Sequence, residues 1–301
     1  MMLDLGVARI LLLGSTGMLG SEMGRQALNS NNEVFLTSRR IGGGSAASNY
    51  YLDAEKATLE DLQLLIEEVR PDYVINCIGV IKQLANETHI LDRLRLIKVN
   101  AEFPHLIAQA IEGTQIKLIQ IATDCVYSGR EGRYSENSAH NPVDLYGKTK
   151  SIGEVASPNI LHLRSSIIGR EIGSSASLLE WVITKPLNET INGYVNHFWN
   201  GVTTHAFSKI VLSIIRTGSE VDGTLHLVPS NVLSKFELVS HIATSFGRSD
   251  LEITPFNAEC SVDRTLSTLN SQLCNELWLG AGYSSPPTIE FLLDELSVLP
   301  H

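Results

Sequence analysis

Along the first 165 residues, short apolar runs rich in β-branched side chains alternate with longer stretches in which apolar positions recur every three or four residues. The runs "ARILLLG", "EVFLTS", "DYVINCIG", "IKLIQIAT" and "NILHLRSS" are continuous rather than alternating, which predicts strands buried on both faces. Between them, "MLGSEMGRQALNS", "TLEDLQLLIEEVR", "FPHLIAQAIEG" and the stretch carrying Tyr146 hold the helical period, so each strand is followed by a helical return. That order predicts an α/β fold, a doubly wound parallel sheet with helices on both faces.

After about residue 170 the alternation stops, and Gly, Ser, Asn and Thr become frequent through "EIGSSAS", "NETINGYVNHFWNGVTT" and "GYSSPPT". The expected division is a sheet domain over 1–169 and a smaller C-terminal lobe over 170–301, within which the chain can cross back to the first domain. Helices are predicted at "THAFSKIVLSIIRTG" and "SKFELVSHIATSFG", the second opened by Ser234 with Glu237 three positions on, a capping box.

The segment "ILLLGSTGMLGSEMG" follows the first strand and opens the first helix with Gly14, Gly17 and Gly20 in a G-x-x-G-x-x-G pattern. A tight turn needs Gly14, a bare backbone at Gly17 admits a pyrophosphate, and Gly20 lets helix and strand pack closely. The backbone of Thr16, Met18 and Leu19 then lies at a helix N-terminus, which attracts negative charge. The second strand ends in Ser38, Arg39 and Arg40, where an acidic residue would bind a ribose 2′-hydroxyl; arginines suit a 2′-phosphate, so NADPH is expected over NADH. Two further places are expected to line the dinucleotide: Asp53, which could equally be an N-terminal helix cap, and Cys77, Ile78 and Gly79 at a strand's carboxyl end. Asn76 beside them could simply satisfy buried backbone.

In "DLYGKTKSIGE", Tyr146 and Lys150 are four positions apart and share one helical face. Alone, such a pair is a solvated surface. Its company changes that: "IQIATDCVYSG" is a strand ending in Thr123 and Asp124, one loop upstream, so Thr123, Tyr146 and Lys150 can meet at one cleft.

Composition removes several classes. A formal net charge of −10 argues against a nucleic-acid binder, which needs a basic surface, although a local arginine cluster can still hold a phosphate. No run approaches the roughly 18 to 20 apolar residues that cross a bilayer, and no signal peptide or anchor is read. Cys77, Cys125, Cys260 and Cys274 lack paired metal-type spacing and suggest reduced thiols in a cytoplasmic protein. The histidines show no ligand spacing, so no metal is expected.

With the glycine loop, Thr123, Tyr146 and Lys150 resemble the short-chain dehydrogenase/reductase superfamily in its extended form, a Rossmann-type fold with a C-terminal substrate-binding lobe. Through "LLLGSTGMLGSE", "ATDCVYSG", "YGKTKSIGE" and "LHLRSSIIG" the chain is most similar to the dTDP-4-dehydrorhamnose reductase family, with a looser match through "NGVTT", "SKFELV" and "DRTLSTLNSQL". The resemblance implies an NADPH-dependent reductase of a 4-keto-6-deoxy nucleotide sugar, serving deoxysugar and surface-polysaccharide synthesis, with a homodimer compatible. Tyr146 is then the proton donor; Lys150 lowers the phenol's pKa from about 10 and holds the nicotinamide ribose. Thr123 polarises the ketone oxygen. Asp124, Trp199 and Lys82 are substrate-side candidates, Trp199 within an aromatic cluster that could equally be packing. Arg164 either orients this region or forms an ion pair.

The chain also departs from the family. Cys125 stands where an aromatic is usual, "GVTT" and "DRTLST" replace proline-containing patterns, and "GVIKQLANE" around Lys82 differs from the reductase segment. Two alternatives stay open: an epimerase or dehydratase of nucleotide sugars, and a regulatory subunit that binds a partner enzyme.

Overall fold

The structure, a computed structural model, describes residues 6–39, 48–171, 177–219 and 222–300. Its first half is built from β1 (Arg9–Leu13), α1 (Met18–Leu28), β2 (Glu33–Ser38), β3 (Ser48–Tyr51), α2 (Leu59–Val69), β4 (Tyr73–Asn76), α3 (Ile90–Ile97), α4 (Phe103–Ala110), β5 (Lys117–Ala122), α5 (Leu145–Ile152) and β6 (Ile160–Arg164). The second half adds β7 (Ile167–Ile168), α6 (Leu178–Ile183), β8 (Thr190–Tyr194), β9 (His197–Trp199), β10 (Val202–Thr203), α7 (Thr204–Thr217), β11 (Gly223–His226), β12 (Leu233–Ser234), α8 (Lys235–Ser245), β13 (Glu252–Phe256), β14 (Val262–Asp263), α9 (Ser271–Gly280) and α10 (Ile289–Ser297).

Seven parallel strands form one sheet in the order β11-β6-β5-β4-β1-β2-β3. The chain winds outward from β1 through β2 to β3, then returns to β4 and winds the other way. The crevice between β1 and β4 is therefore the switch point, where ligands of such sheets bind. Both faces of β1 are covered, as its unbroken apolar run requires. Ile10 and Leu12 pack with Met23 and Ala27 of α1 and Phe207 and Ile210 of α7. Leu11 and Leu13 pack on the opposite side with Leu62 and Leu65 of α2 and Phe103 and Ile107 of α4. Each such leucine contributes about 1.5–3 kcal/mol by leaving water.

Two edge strands escape the hydrophobic pattern, "SNYY" and "GTLH", because an edge strand has no neighbour on one side and tolerates polar positions. The second of these, β11, brings the chain back to the main sheet beside β6, with α7 and α9 covering the same face. Beyond it, α6, α8 and α10 close a separate core of Leu179, Val182, Leu238, Ile242 and Leu293. The capping box of α8 forms as the sequence predicts: the Ser234 hydroxyl accepts the Glu237 N–H, and the Glu237 carboxylate accepts the Ser234 N–H at 2.7 Å. Among the described residues no helix is long and apolar enough to cross a membrane.

Candidate active site

The turn after β1 has the geometry its glycines suggest. Gly14 takes a left-handed φ of 84°, and a methyl group there would come 2.6 Å from the Ile78 side chain. A methyl group on Gly20 would lie 2.0 Å from the Gly14 carbonyl oxygen, so α1 cannot sit this close to β1 with any other residue. Gly17 is different: its nearest neighbour would be 3.8 Å away, so the protein itself does not demand glycine there. A side chain at Gly17 would instead project into open space at the start of α1, whose N-terminus no side chain caps. That open space and the uncapped N–H groups fit a dinucleotide's pyrophosphate.

Gly14, Thr16, Gly17, Cys77, Ile78 and Gly79 line one cleft at the carboxyl ends of β1 and β4. Met18 is the first residue of α1, and Leu19 is buried under its first turn. Arg39 reaches the same cleft with its side chain 64% exposed and paired with Glu55 at 4.0 Å. Arg40 lies outside the described residues. Asp53 lines the cleft and is not a helix cap: its carboxylate accepts the Glu55 N–H at 3.2 Å in a turn, and Thr58 caps α2 instead. Asn76 is fully buried and satisfies its surroundings, donating to Gln120 at 2.9 Å and accepting the Ile78 N–H at 3.0 Å. A second cavity, of about 330 Å³, opens beside Tyr73, Lys117 and Asn159 at the opposite, amino ends of the strands. It holds none of the candidate residues.

At the end of β5, Thr123 caps a short turn, its hydroxyl accepting the Cys125 N–H at 3.2 Å and lying 3.2 Å from the Asp124 carboxylate. The same hydroxyl faces the Tyr146 phenol and favours its ionised form. The strand-end cap and the catalytic-type contact are thus made by one side chain. Lys150, one turn further along α5, donates to the Ile121 carbonyl at 3.0 Å. Burial pushes Lys150 below its ordinary pKa, against the pull of Glu154, Cys125 and Cys77. For Tyr146 the expectation of a lowered pKa is corrected. Burial raises the phenol well above its ordinary value, the Cys125 thiol beside it adds to the rise, and the Thr123 hydroxyl opposes it.

Behind α5, the buried Arg164 settles its own question as an ion pair. Its guanidinium meets Glu154 at 2.5 Å, Tyr127 at 2.8 Å and His140 at 3.0 Å. Glu154 follows Lys150 by four residues, so Tyr146, Lys150 and Glu154 succeed one another along α5 and the turn that ends it.

The C-terminal lobe supplies residues that the sequence alone did not single out. In a three-stranded sheet of β12, β9 and β14, Leu233 pairs with Trp199 and Asp263 with Phe198. The residues that follow β12 and β14 are Lys235 and Arg264, and Lys235 arrives beside the Trp199 indole. The Lys235 ammonium lies 5.5 Å from the centre of that ring, and the Arg264 Nε donates to the Tyr127 carbonyl at 3.0 Å. Both face Asp124, whose carboxyl burial raises above its ordinary pKa while Arg264 and Lys235 pull it back. Lys235 is itself pushed down to about 8 by burial. Trp199 is buried, its Nε1 donating to the Ser166 hydroxyl at 2.7 Å. The departure "DRTLST" marked this position, but nothing local to it shows that the Arg264 charge acts on Asp124.

Lys82, beyond β4, pairs with Asp144 at 2.9 Å. Two residues near it also went unread. Asn100, on a π-helical turn (Lys98–Glu102), bonds both backbone groups of Val80, and Glu87 accepts backbone N–H groups of α5. Among the described residues no group of three His, Cys, Asp or Glu side chains is placed to hold a metal.

Comparison with known proteins places this geometry. The methionine adenosyltransferase 2 subunit beta of Danio rerio is 24% identical over 97% of this chain and 91% of its own. A dTDP-4-dehydrorhamnose reductase of Streptomyces griseus is 30% identical, over 51% of this chain and 46% of that protein. Among solved structures, a dTDP-4-dehydrorhamnose reductase from Clostridium acetobutylicum superposes with a TM-score of 0.75 at 23% identity, covering 95% of this chain and 97% of that one. Another, from Bacillus anthracis in complex with NADP, gives 0.75 at 20% identity over 96% and 98%. The sequence profile of the RmlD substrate binding domain matches residues 8–296, nearly the whole chain, and the protein belongs to that family.

Proposed function

We propose that the protein is an NADPH-dependent reductase of a 4-keto-6-deoxy nucleotide sugar, working in deoxysugar synthesis. One observation carries the reading: the Tyr146 phenol faces Thr123, with Lys150 one turn along the same helix, beside the cleft above the glycine turn. The relatives named as dTDP-4-dehydrorhamnose reductase and dTDP-4-keto-6-deoxy-D-glucose reductase support the substrate class.

The backbone around Gly14, Gly17 and Met18 would hold the pyrophosphate, Arg39 the 2′-phosphate, and Cys77, Ile78 and Gly79 the inner part of the dinucleotide. When bound, the nicotinamide supplies the hydride. Tyr146 donates its proton to the substrate oxygen as negative charge grows there, and Thr123 holds that oxygen by a hydrogen bond. A phenol raised by burial is protonated at neutral pH, the form a donor needs. Lys150 stabilises the phenolate left behind. Lys235 and Arg264 present positive charge for an anionic substrate, and the Trp199 indole forms the floor beneath Lys235.

An epimerase or dehydratase on this fold would return the hydride, so net loss of NADPH separates the readings. The relatives named as methionine adenosyltransferase subunits are the ground for a second reading, a subunit that binds a partner enzyme, which the reductase relatives and the family match do not favour. Incubating the purified protein and NADPH with a panel of 4-keto-6-deoxy nucleotide sugars tests the first reading; absence of any substrate-dependent loss of NADPH absorbance would leave the second.

A further inference from the structure

We propose that the turn from Lys82 to Glu87 is a clip that fixes the height of Tyr146 from the cofactor side of the cleft, with Glu87 as the positioning residue. The sequence of this turn departs from the family pattern, and the structure shows what it grips. The Glu87 carboxylate accepts two backbone N–H groups in the first turn of α5, that of Leu145 at 3.0 Å and that of Tyr146 itself at 3.2 Å. Asp144, the N-cap, accepts the next, Gly147, at 2.8 Å, and its other oxygen takes the Lys82 ammonium at 2.9 Å. All of the first three N–H groups of the helix therefore end on carboxylates. A helix needs only its own N-cap for part of this, and the rest comes from 58 residues upstream.

The clip is held at both ends. On the β4 side, the Asn100 amide fixes Val80 through its N–H at 2.8 Å and its carbonyl at 2.9 Å. On the α3 side, the Asn86 N–H is taken by Asp92 at 2.9 Å, and Asn86 in turn accepts the Thr88 N–H at 3.0 Å. Between these anchors, Val80 and Leu84 line the dinucleotide cleft. One short segment thus touches the cofactor site with its apolar side chains and the Tyr146 backbone with its carboxylate. A shift of one is passed to the other because neither end can yield. The catalytic consequence rests on Tyr146 as proton donor; the mechanical one does not.

The test uses the full chain and two substitutions, Glu87→Ala and Glu87→Gln. Residue-resolved hydrogen exchange on the protein without ligand reads the clip directly. The Leu145 and Tyr146 amides should exchange at least tenfold faster in Glu87→Ala, with the Gly147 amide, held by Asp144, changing less. Glu87→Gln keeps one acceptor oxygen and should fall between. In NADPH-dependent ketone reduction, Glu87→Ala should lower kcat about tenfold or more with the substrate KM and the NADPH Kd within about threefold, and Glu87→Gln should restore part of the loss. Unchanged exchange at Leu145 and Tyr146 would overturn the clip. Altered exchange with unchanged kcat would overturn its catalytic role. If no ketone is reduced by the parent protein, the exchange measurement still decides the clip while the reductase reading alone fails.

Discussion

His226 provides a prediction whose magnitude the structure sets. It is fully buried beside Arg164, whose Nη1 donates to its Nε2 at 2.8 Å. A guanidinium cannot accept, so Nε2 carries no proton, and Nδ1 carries the one that reaches the Ser267 carbonyl at 2.8 Å. The ring is neutral. Burial first, and the Arg164 charge second, push its pKa from the ordinary 6.5 to about 4, against the pull of Glu136. Protonation is therefore easier in the unfolded chain. The stabilisation is whole above about pH 6.5 and is lost as pH falls toward about 4. At about 1.4 kcal/mol per pH unit the full shift corresponds to about 3.5 kcal/mol, of which about 3 kcal/mol is lost between about pH 7 and pH 4.

The assay is denaturant unfolding at several values between about pH 7 and pH 4, on the parent protein and His226→Gln. Glutamine can accept from Arg164 and donate to Ser267, but it does not titrate. His140 and His162 are also held below their ordinary values by burial and steepen the parent's acid sensitivity, but they are present in both proteins and cancel in the difference. The variant should lose about 3 kcal/mol less than the parent across the interval, whatever its stability at neutral pH. Parallel curves for the two proteins would refute the argument.

The active-site reading makes further predictions. Tyr146→Phe should lower turnover by about 10²-fold to 10⁴-fold, the range for losing a general acid, with NADPH binding retained; near-parental turnover would remove Tyr146 from the reaction. Arg39→Ala should weaken NADPH by about 1.5–3 kcal/mol and NADH little, checked by titrating both dinucleotides, and equal weakening would show that Arg39 does not read the 2′-phosphate. Lys235→Met should raise the KM for the nucleotide sugar and spare NADPH affinity. Because the Lys235 ammonium loses its proton near pH 8, the parent's KM should rise above that pH while the variant's stays flat, and a KM equally pH-dependent in both would exclude Lys235.

Much of the sheet was legible because it is buried on both faces, and burial of that kind writes itself as unbroken apolar runs. The glycine turn was legible for a related reason: Gly20 answers a constraint set by Gly14 and Ser15 within the same turn, and Gly14 has a left-handed φ, so their spacing survives translation into sequence, although the side chain that also crowds Gly14, Ile78, is distant in the chain. Helix α3 was not, since Ile90, Leu91, Leu94 and Ile97 are all exposed and blur the expected amphipathic period. Lys235 and Arg264 illustrate the harder limit. Each is brought to Asp124 by a strand of only two residues, and pairings that short, between segments separated by more than 60 positions from β9 to β14, leave no periodic trace. Glu87 is the same case, a loop carboxylate whose partners are backbone groups and therefore independent of residue type.

The corrected direction of the Tyr146 pKa bears on which reaction the site favours. Burial pushes the phenol up and the Lys150 ammonium down, so both residues are driven toward their uncharged forms. A reaction that begins by removing a substrate proton would need phenolate at the outset, which is the form this environment resists. Reduction begins from the protonated phenol, which the environment holds in place. The charge that follows proton donation appears on Tyr146 only after Thr123 and Lys150 are positioned to share it, and Glu154 steadies Lys150 from behind in its charged state. The same burial makes the phenol a weaker acid, so in the proposed reduction its proton leaves only as Lys150 and Thr123 share the charge left behind.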